Sequence, residues 1–295
     1  MLRHSTLSPR LPALTDLHQY LCHAGEMIRA MPHGPRSPLR SGMGQHHLPR
    51  TAFFYGAQVP VTALAQFDRV VVEADQIQDL RPLRAAGADI FAYVSVGEVE
   101  GWRASVRALP PELFLGSNAS WHSRIADLSH PGWRRYLLDE RMAGLWAAGY
   151  RGFFLDTLDS YRMAAKDAAQ ERAQTAALVD LIRAMHDRFP GVKLLLNRGF
   201  EVLSEVAPLC VGVVAESLFQ GWNAGLQKYV RVSEADRLWL LNRLSDARER
   251  FGLPVTVIDY VSPKQPALAR ATAQRIAALG FAPWVANPGL DVLPA

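Results

Sequence analysis

The chain has 295 residues, of which 49% are hydrophobic and 20% charged, and a net charge of +4. Such proportions exclude disorder over most of the length, and no apolar run reaches the about 18 residues that a membrane-spanning helix needs. Residues 1–50 hold six Arg and no Lys against Asp16 and Glu26, so the whole excess charge lies there. The balanced remainder argues against a basic body built to hold nucleic acid. Cys22 and Cys210 are too few for a disulfide framework.

Residues 1–50 also hold six of the nine His and six of the nineteen Pro, with no helical or strand period. They read as a flexible leader without a clear apolar signal stretch. A regular pattern begins at Thr51. Apolar runs recur at Ala52–Tyr55, Val70–Glu73, Ile90–Val96, Gly152–Asp156, Leu194–Asn197, Val211–Glu216, Val255–Asp259 and Pro283–Asn287. They are rich in Val, Phe, Ile and Leu without strict alternation, as in parallel strands buried on both faces.

Helical patterns fill the gaps. The longer ones are Pro131–Ala148 with Ser129 as its cap, Ala165–Phe189, Glu234–Phe251 with Ser233 as its cap, and Lys264–Leu279 after Ser262. Shorter ones fit Val61–Phe67, Gln76–Ala86 and Phe200–Val206. Strands and helices alternating in this way predict an α/β fold, a (β/α)8 TIM barrel over 51–295. The rival open sheet usually carries a Gly-rich phosphate turn after its first strand, and Tyr55-Gly56-Ala57-Gln58 is not one. A long connection holding Trp102, Trp121, Pro110 and Pro111 precedes Pro131 and would stand over the active-site face.

In a barrel the C-terminal strand ends share one face, where catalysis occurs. The polar residues there are Glu73, Ser95, Glu98, Asp156, Asp159, Asn197, Arg198, Glu216, Asp259 and Asn287. Their carboxylates form an acidic mouth that suits acid/base chemistry or a cationic ligand. Asp156 and Glu216 end the fourth and sixth strands, leaving room for a sugar ring between two carboxylates, the minimum for glycoside hydrolysis. Tyr55, Tyr93, Tyr161, Trp222, Tyr260 and Trp284 lie near the same ends, where rings can pack on sugar faces. Trp284 reads rather as barrel packing, and Trp133, Trp146 and Trp239 as core. No clustered ligand set for a metal, no GxSxG elbow, no Walker loop and no CxxC occurs, so no cofactor is expected.

The stretch Gly149–Tyr161, with Asp156 and Asp159 in it, resembles the central motif of glycoside hydrolase family 114. It is still more similar to the N-terminal hydrolase domains of family 166, which act on Pel exopolysaccharide. Ala65–Asp68 with Val70–Glu73, Ala92–Val99, Asn197–Glu201, Val214–Phe219 and Leu253–Tyr260 extend the resemblance in register over about residues 51–292. It implies endo-acting, retaining cleavage of an α-1,4-linked galactosamine-containing polysaccharide. Asp156 matches the nucleophile and Glu216 the acid/base, with Asp159 the rival nucleophile. Tyr55, Glu73, Tyr93, Glu98, Asp159, Tyr161, Asn197, Trp222, Asp259 and Tyr260 are the expected substrate contacts. The substrate would be a cationic polymer and the location periplasmic or secreted. The chain is expected to act without the deacetylase region that follows in family 166. The competing readings are a catalytically silent polysaccharide-binding barrel and a hydrolase of another α-galactoside or galactosaminide.

Overall fold

A computed structural model describes residues 48–77, 79–100, 109–119 and 122–294. Most of the expected leader and both Trp102 and Trp121 lie outside the described residues. Eight parallel strands follow one another round a single sheet. They are β1 (Thr51–Phe54), β2 (Arg69–Val72), β3 (Asp89–Ser95), β4 (Gly152–Asp156), β5 (Lys193–Asn197), β6 (Cys210–Glu216), β7 (Val255–Tyr260) and β8 (Ala282–Ala286). Each expected run became a strand to within a residue or two, because each is apolar on both faces. Phe53, Phe91, Phe154 and their neighbours fill the interior, and helices cover the outside.

The two ends of the sheet meet. Tyr55 N–H donates to Leu290 O at 2.8 Å, and the Phe53 and Trp284 rings lie 6.2 Å apart across the join. Among the described residues β1 and β8 share no ladder hydrogen bond, so loops and side chains complete the TIM barrel. Trp284 is buried between Phe53 and Phe67, which makes it barrel packing as expected.

The helices are α1 (Val61–Leu64), α2 (Arg81–Ala85), α3 (Pro131–Arg135), α4 (Ala143–Ala147), α5 (Ala168–Arg188), α6 (Leu203–Val206), α7 (Glu234–Glu249) and α8 (Pro266–Ala278). A widened π turn over Tyr136–Met142 joins α3 to α4, so the expected single helix is interrupted. Its cap is His130, whose Nδ1 accepts from Gly132 N–H at 3.1 Å, and not Ser129, whose hydroxyl is turned to Asp127. Ser233 caps α7 as expected, its Oγ accepting from Asp236 N–H at 3.1 Å. Ser262 does not cap α8; the chain makes a turn there first, and the helix starts at Pro266. Phe153 of β4 packs against Trp146 and Phe189, tying α4 and α5 to the sheet. Truncating such a buried ring costs about 3–5 kcal/mol.

Two additions sit on the C-terminal face. Glu98–Glu100, Phe114–Asn118 and Ser123–Ala126 form a small antiparallel sheet within the long connection. Gln220–Asn223 and Lys228–Arg231 form a hairpin after β6. The residue pattern did not announce either one.

Candidate active site

Three adjacent strands end in the same way. Asp156, Asn197 and Glu216 are the last residues of β4, β5 and β6, and each is followed by a non-glycine residue in the left-handed region. These are Thr157 at φ 60°, Arg198 at φ 61° and Ser217 at φ 65°. Such backbone costs about 1–3 kcal/mol per residue and persists only where its surroundings over-determine it. Here they do. The Thr157 hydroxyl accepts from Gly97 N–H at 2.9 Å and donates to Asp156 O at 2.6 Å. Arg198 N–H donates to Val214 O at 2.8 Å, and Ser217 N–H to Ile258 O at 2.7 Å. The chain is turned sharply behind each of the three side chains, which leaves them together at the barrel mouth.

They form one network. Asn197 Nδ2 donates to Asp156 Oδ1 at 2.8 Å and to Glu216 Oε1 at 2.9 Å. The far oxygens are held as well: Tyr93 OH donates to Asp156 Oδ2 at 2.8 Å, and Tyr260 OH to Glu216 Oε2 at 2.5 Å. One amide nitrogen therefore joins the two carboxylates, whose facing oxygens can be no farther apart than those two bonds laid end to end. Asp156, Asn197 and Glu216 are each buried, and Asn197 Oδ1 has no hydrogen-bond partner among the described residues.

Burial raises the carboxyl pKa of both acids. For Asp156 the Tyr93 and Asn197 bonds oppose the rise, and the charge of Asp159 adds to it. For Glu216 the charge of Asp156 is the next largest cause of the rise, with Tyr260, Asn197 and Arg198 opposing. Burial pushes the Tyr55 phenol well up, and the charges of Asp156, Glu216 and Glu73 add to the rise. Its ring meets Tyr93 edge-on at 5.5 Å. Two buried carboxylates, held by donors and pressed against one another, can share acid and nucleophile roles.

Residues 43–293 match the model of glycoside-hydrolase family GH114. The chain belongs to that family. The glycoside hydrolase domain of PelA from Pseudomonas aeruginosa is 39% identical, with a TM-score of 0.78, covering 84% of this chain and 98% of that one. Ega3 from Aspergillus fumigatus, solved in complex with galactosamine, shares the fold at 16% identity and a TM-score of 0.61, covering 87% of this chain and 98% of its own. An uncharacterized protein of Deinococcus radiodurans is 26% identical over 219 residues, 71% of this chain and 67% of that protein. The chain is a glycoside hydrolase of GH114, and the remaining expected contacts can be placed around its carboxylates.

Glu98 lies close enough to Asp156 to feel its charge; burial raises its pKa against hydrogen bonds from Ser123, Ser160 and Asn118. Asp159 begins the short turn after β4, and its charge acts on both Asp156 and Glu201. Glu73 is buried and paired with Arg141 at 3.7 Å. Trp222 stands in the β6 hairpin, edge-on to Tyr229 at 4.8 Å, and its indole N–H has no partner among the described residues.

Two expected contacts are placed elsewhere, and a third, Tyr260, is fully buried with its hydroxyl committed to Glu216, so it holds that acid and does not line the mouth. Asp259 is 0% exposed, and its two oxygens accept from Leu218, Phe219 and Gln220 N–H at 2.6, 2.9 and 2.9 Å. Closed off from solvent and engaged at both oxygens, Asp259 shapes the loop after Glu216, and burial pushes its carboxyl up to about 7. Tyr161 is 1% exposed, and its hydroxyl bonds Thr175 Oγ1 of α5 at 2.7 Å, so it is core. Among the described residues, no group of three His, Cys, Asp or Glu is placed to hold a metal ion, and no helix is long and apolar enough to cross a membrane. The residues that sequence reading passed over are Thr157 and Ser217, whose types give no sign of left-handed backbone.

Proposed function

We propose that this hydrolase cleaves an α-1,4-linked, galactosamine-containing exopolysaccharide internally and with retention. Asp156 is the nucleophile and Glu216 the acid/base, within a barrel over residues 51–295. The observation that carries the reading is the single Asn197 amide bonded to both carboxylates. This linkage fits the carboxyl spacing of about 5–5.5 Å in retaining enzymes better than the about 6.5–9.5 Å of inverting ones.

The first step needs Asp156 ionised and Glu216 protonated. Three donors favour the charge on Asp156: Tyr93 OH, Asn197 Nδ2 and the Thr157 backbone. That charge in turn favours a proton on Glu216. Asp156 attacks the anomeric carbon while Glu216 passes its proton to the departing glycosidic oxygen. Glu216, now a base, takes a proton from water, which attacks the anomeric carbon and frees Asp156. Tyr93 stabilises the Asp156 carboxylate when it is expelled. Asn197 Oδ1 and Trp222 Nε1 are buried and lack hydrogen-bond partners among the described residues, an acceptor and a donor left unsatisfied.

The substrate class rests on two supports. The 39% identity to the PelA hydrolase domain and the galactosamine bound by the similarly folded Ega3 point to galactosamine polymers. Glu98 and Asp159 beside the catalytic pair give the site a negative field that suits a partly deacetylated, cationic chain. Such a substrate places the enzyme's work in the periplasm or outside the cell.

The test is mass spectrometry of a partly acetylated α-1,4-galactosamine oligomer incubated with wild type and with Glu216→Gln. Internal fragments from wild type alone would support the reading. Intact oligomer with both proteins, despite measurable binding, would replace it with a silent binding barrel or another linkage.

A further inference from the structure

Behind the loop that follows Glu216, a cavity of about 330 Å³ opens between the β6 hairpin, α7 and α8. Three guanidiniums reach it from three elements: Arg231 from the hairpin, Arg237 from the first turn of α7, and Arg275 from α8. Phe219 lies among them, with Arg275 Cζ 3.9 Å and Arg237 Cζ 5.9 Å from its ring centroid. Stacking on a ring fixes a guanidinium plane and leaves its N–H edges free for an anion. Phe219 is itself fixed, because its N–H is bonded to the buried Asp259 at 2.9 Å.

The charges do not balance. Glu234 pairs with Arg237 through two contacts, Nε at 3.1 Å among them, and so accounts for one cation. The Asp236 carboxylate accepts from the Ser233 hydroxyl at 2.6 Å. Among the described residues Arg231 and Arg275 form no ion pair; the charge of Arg231 acts on Glu234 and that of Arg275 on Asp259 behind the loop. The cations also crowd the N-terminal end of a 16-residue helix, where the backbone dipole already presents positive charge. Stability alone would not gather arginines there. An anion in the cavity would meet two free guanidiniums and the helix end together.

We propose that this cavity binds an anionic ligand of about monosaccharide size through a phosphate or carboxylate group, held by Arg231 and Arg275. The volume lies at the small end of ligand pockets, about 300–1,000 Å³. A cationic polymer would be repelled, so the ligand is distinct from the substrate of the catalytic mouth.

Isothermal titration of the whole chain with glucose 6-phosphate, glucuronate and neutral glucose tests this. Saturable binding of one or both anions is expected, with none for glucose; whichever anion binds identifies phosphate or carboxylate as the recognised group. Arg231→Gln and Arg275→Gln should each weaken it about tenfold or more, the loss of one charge-assisted contact. Glu216→Gln should leave it unchanged. Arg231 is exposed on a hairpin, so its variant keeps the fold even if Arg275→Gln does not. Absence of saturable binding by either anion, or undiminished binding by Arg231→Gln, would overturn the proposal.

Discussion

Replacing Asn197 by Ala removes the link between Asp156 and Glu216, the two carboxylates proposed as catalytic. The wild-type amide makes two hydrogen bonds to acidic groups, at 2.8 and 2.9 Å, inside a buried network. Each such bond to a charged group contributes about 1.5–3 kcal/mol. The pair can relieve part of the loss by taking up a proton, so the net cost at neutral pH is about 2–3 kcal/mol. For a domain of this size that lowers the melting temperature by about 2–4 °C per kcal/mol. The sign with pH follows from what the amide favours. Asn197 opposes the rise in both pKa values, so its stabilising effect is present where the acids are ionised and fades as pH falls through their raised values. Denaturant titrations at about pH 4 and pH 7.5 should therefore show a smaller loss at the lower pH. Hydrolysis should fall by about 100-fold or more in kcat, the range for losing one preorganised donor. A loss of stability equal at both pH values, or a kcat within threefold of wild type, would refute the reasoning.

Three further outcomes follow from the same geometry. Tyr260→Phe removes a donor that holds the Glu216 pKa down; the descending limb of kcat/KM against pH should move to higher pH, and a limb that stays or moves lower would contradict the network. Asp259→Ala leaves three N–H groups, two of them buried, without their acceptor; at about 1–3 kcal/mol for each group left unsatisfied, less what entering water recovers, the cost is about 3 kcal/mol by urea unfolding, and a neutral substitution would show that the loop has another anchor. Gly97→Ala puts a Cβ 2.2 Å from Thr157 O, a backbone atom that cannot swing aside; it should cost about 1–3 kcal/mol and lower kcat by disturbing the residue after Asp156, whereas wild-type stability and turnover would show that Thr157 is not held as described.

The barrel was legible because parallel strands buried on both faces write themselves as apolar runs, and a polar residue ends most of them. Asp156, Asn197 and Glu216 could be picked out for that reason alone. Their linkage could not, since nothing in the residue types says that one amide serves both acids. Asp259 and Glu216 look alike in sequence, each a carboxylate at a strand end. They differ because three N–H groups of a neighbouring loop claim Asp259. Tyr161 likewise reads as a mouth aromatic until Thr175 of the following helix takes its hydroxyl. The left-handed turns at Thr157, Arg198 and Ser217 leave no trace in composition; residues with a Cβ adopt them only where tertiary bonds impose the shape.

The central claim is retention by a closely held carboxylate pair, and the anomeric configuration of the first product tests it most directly. Proton NMR of an α-1,4-galactosamine oligomer, recorded before mutarotation equilibrates the ends, should show the α-anomer appearing first. Initial release of the β-anomer would mean inversion, and would contradict Asp156 as a nucleophile.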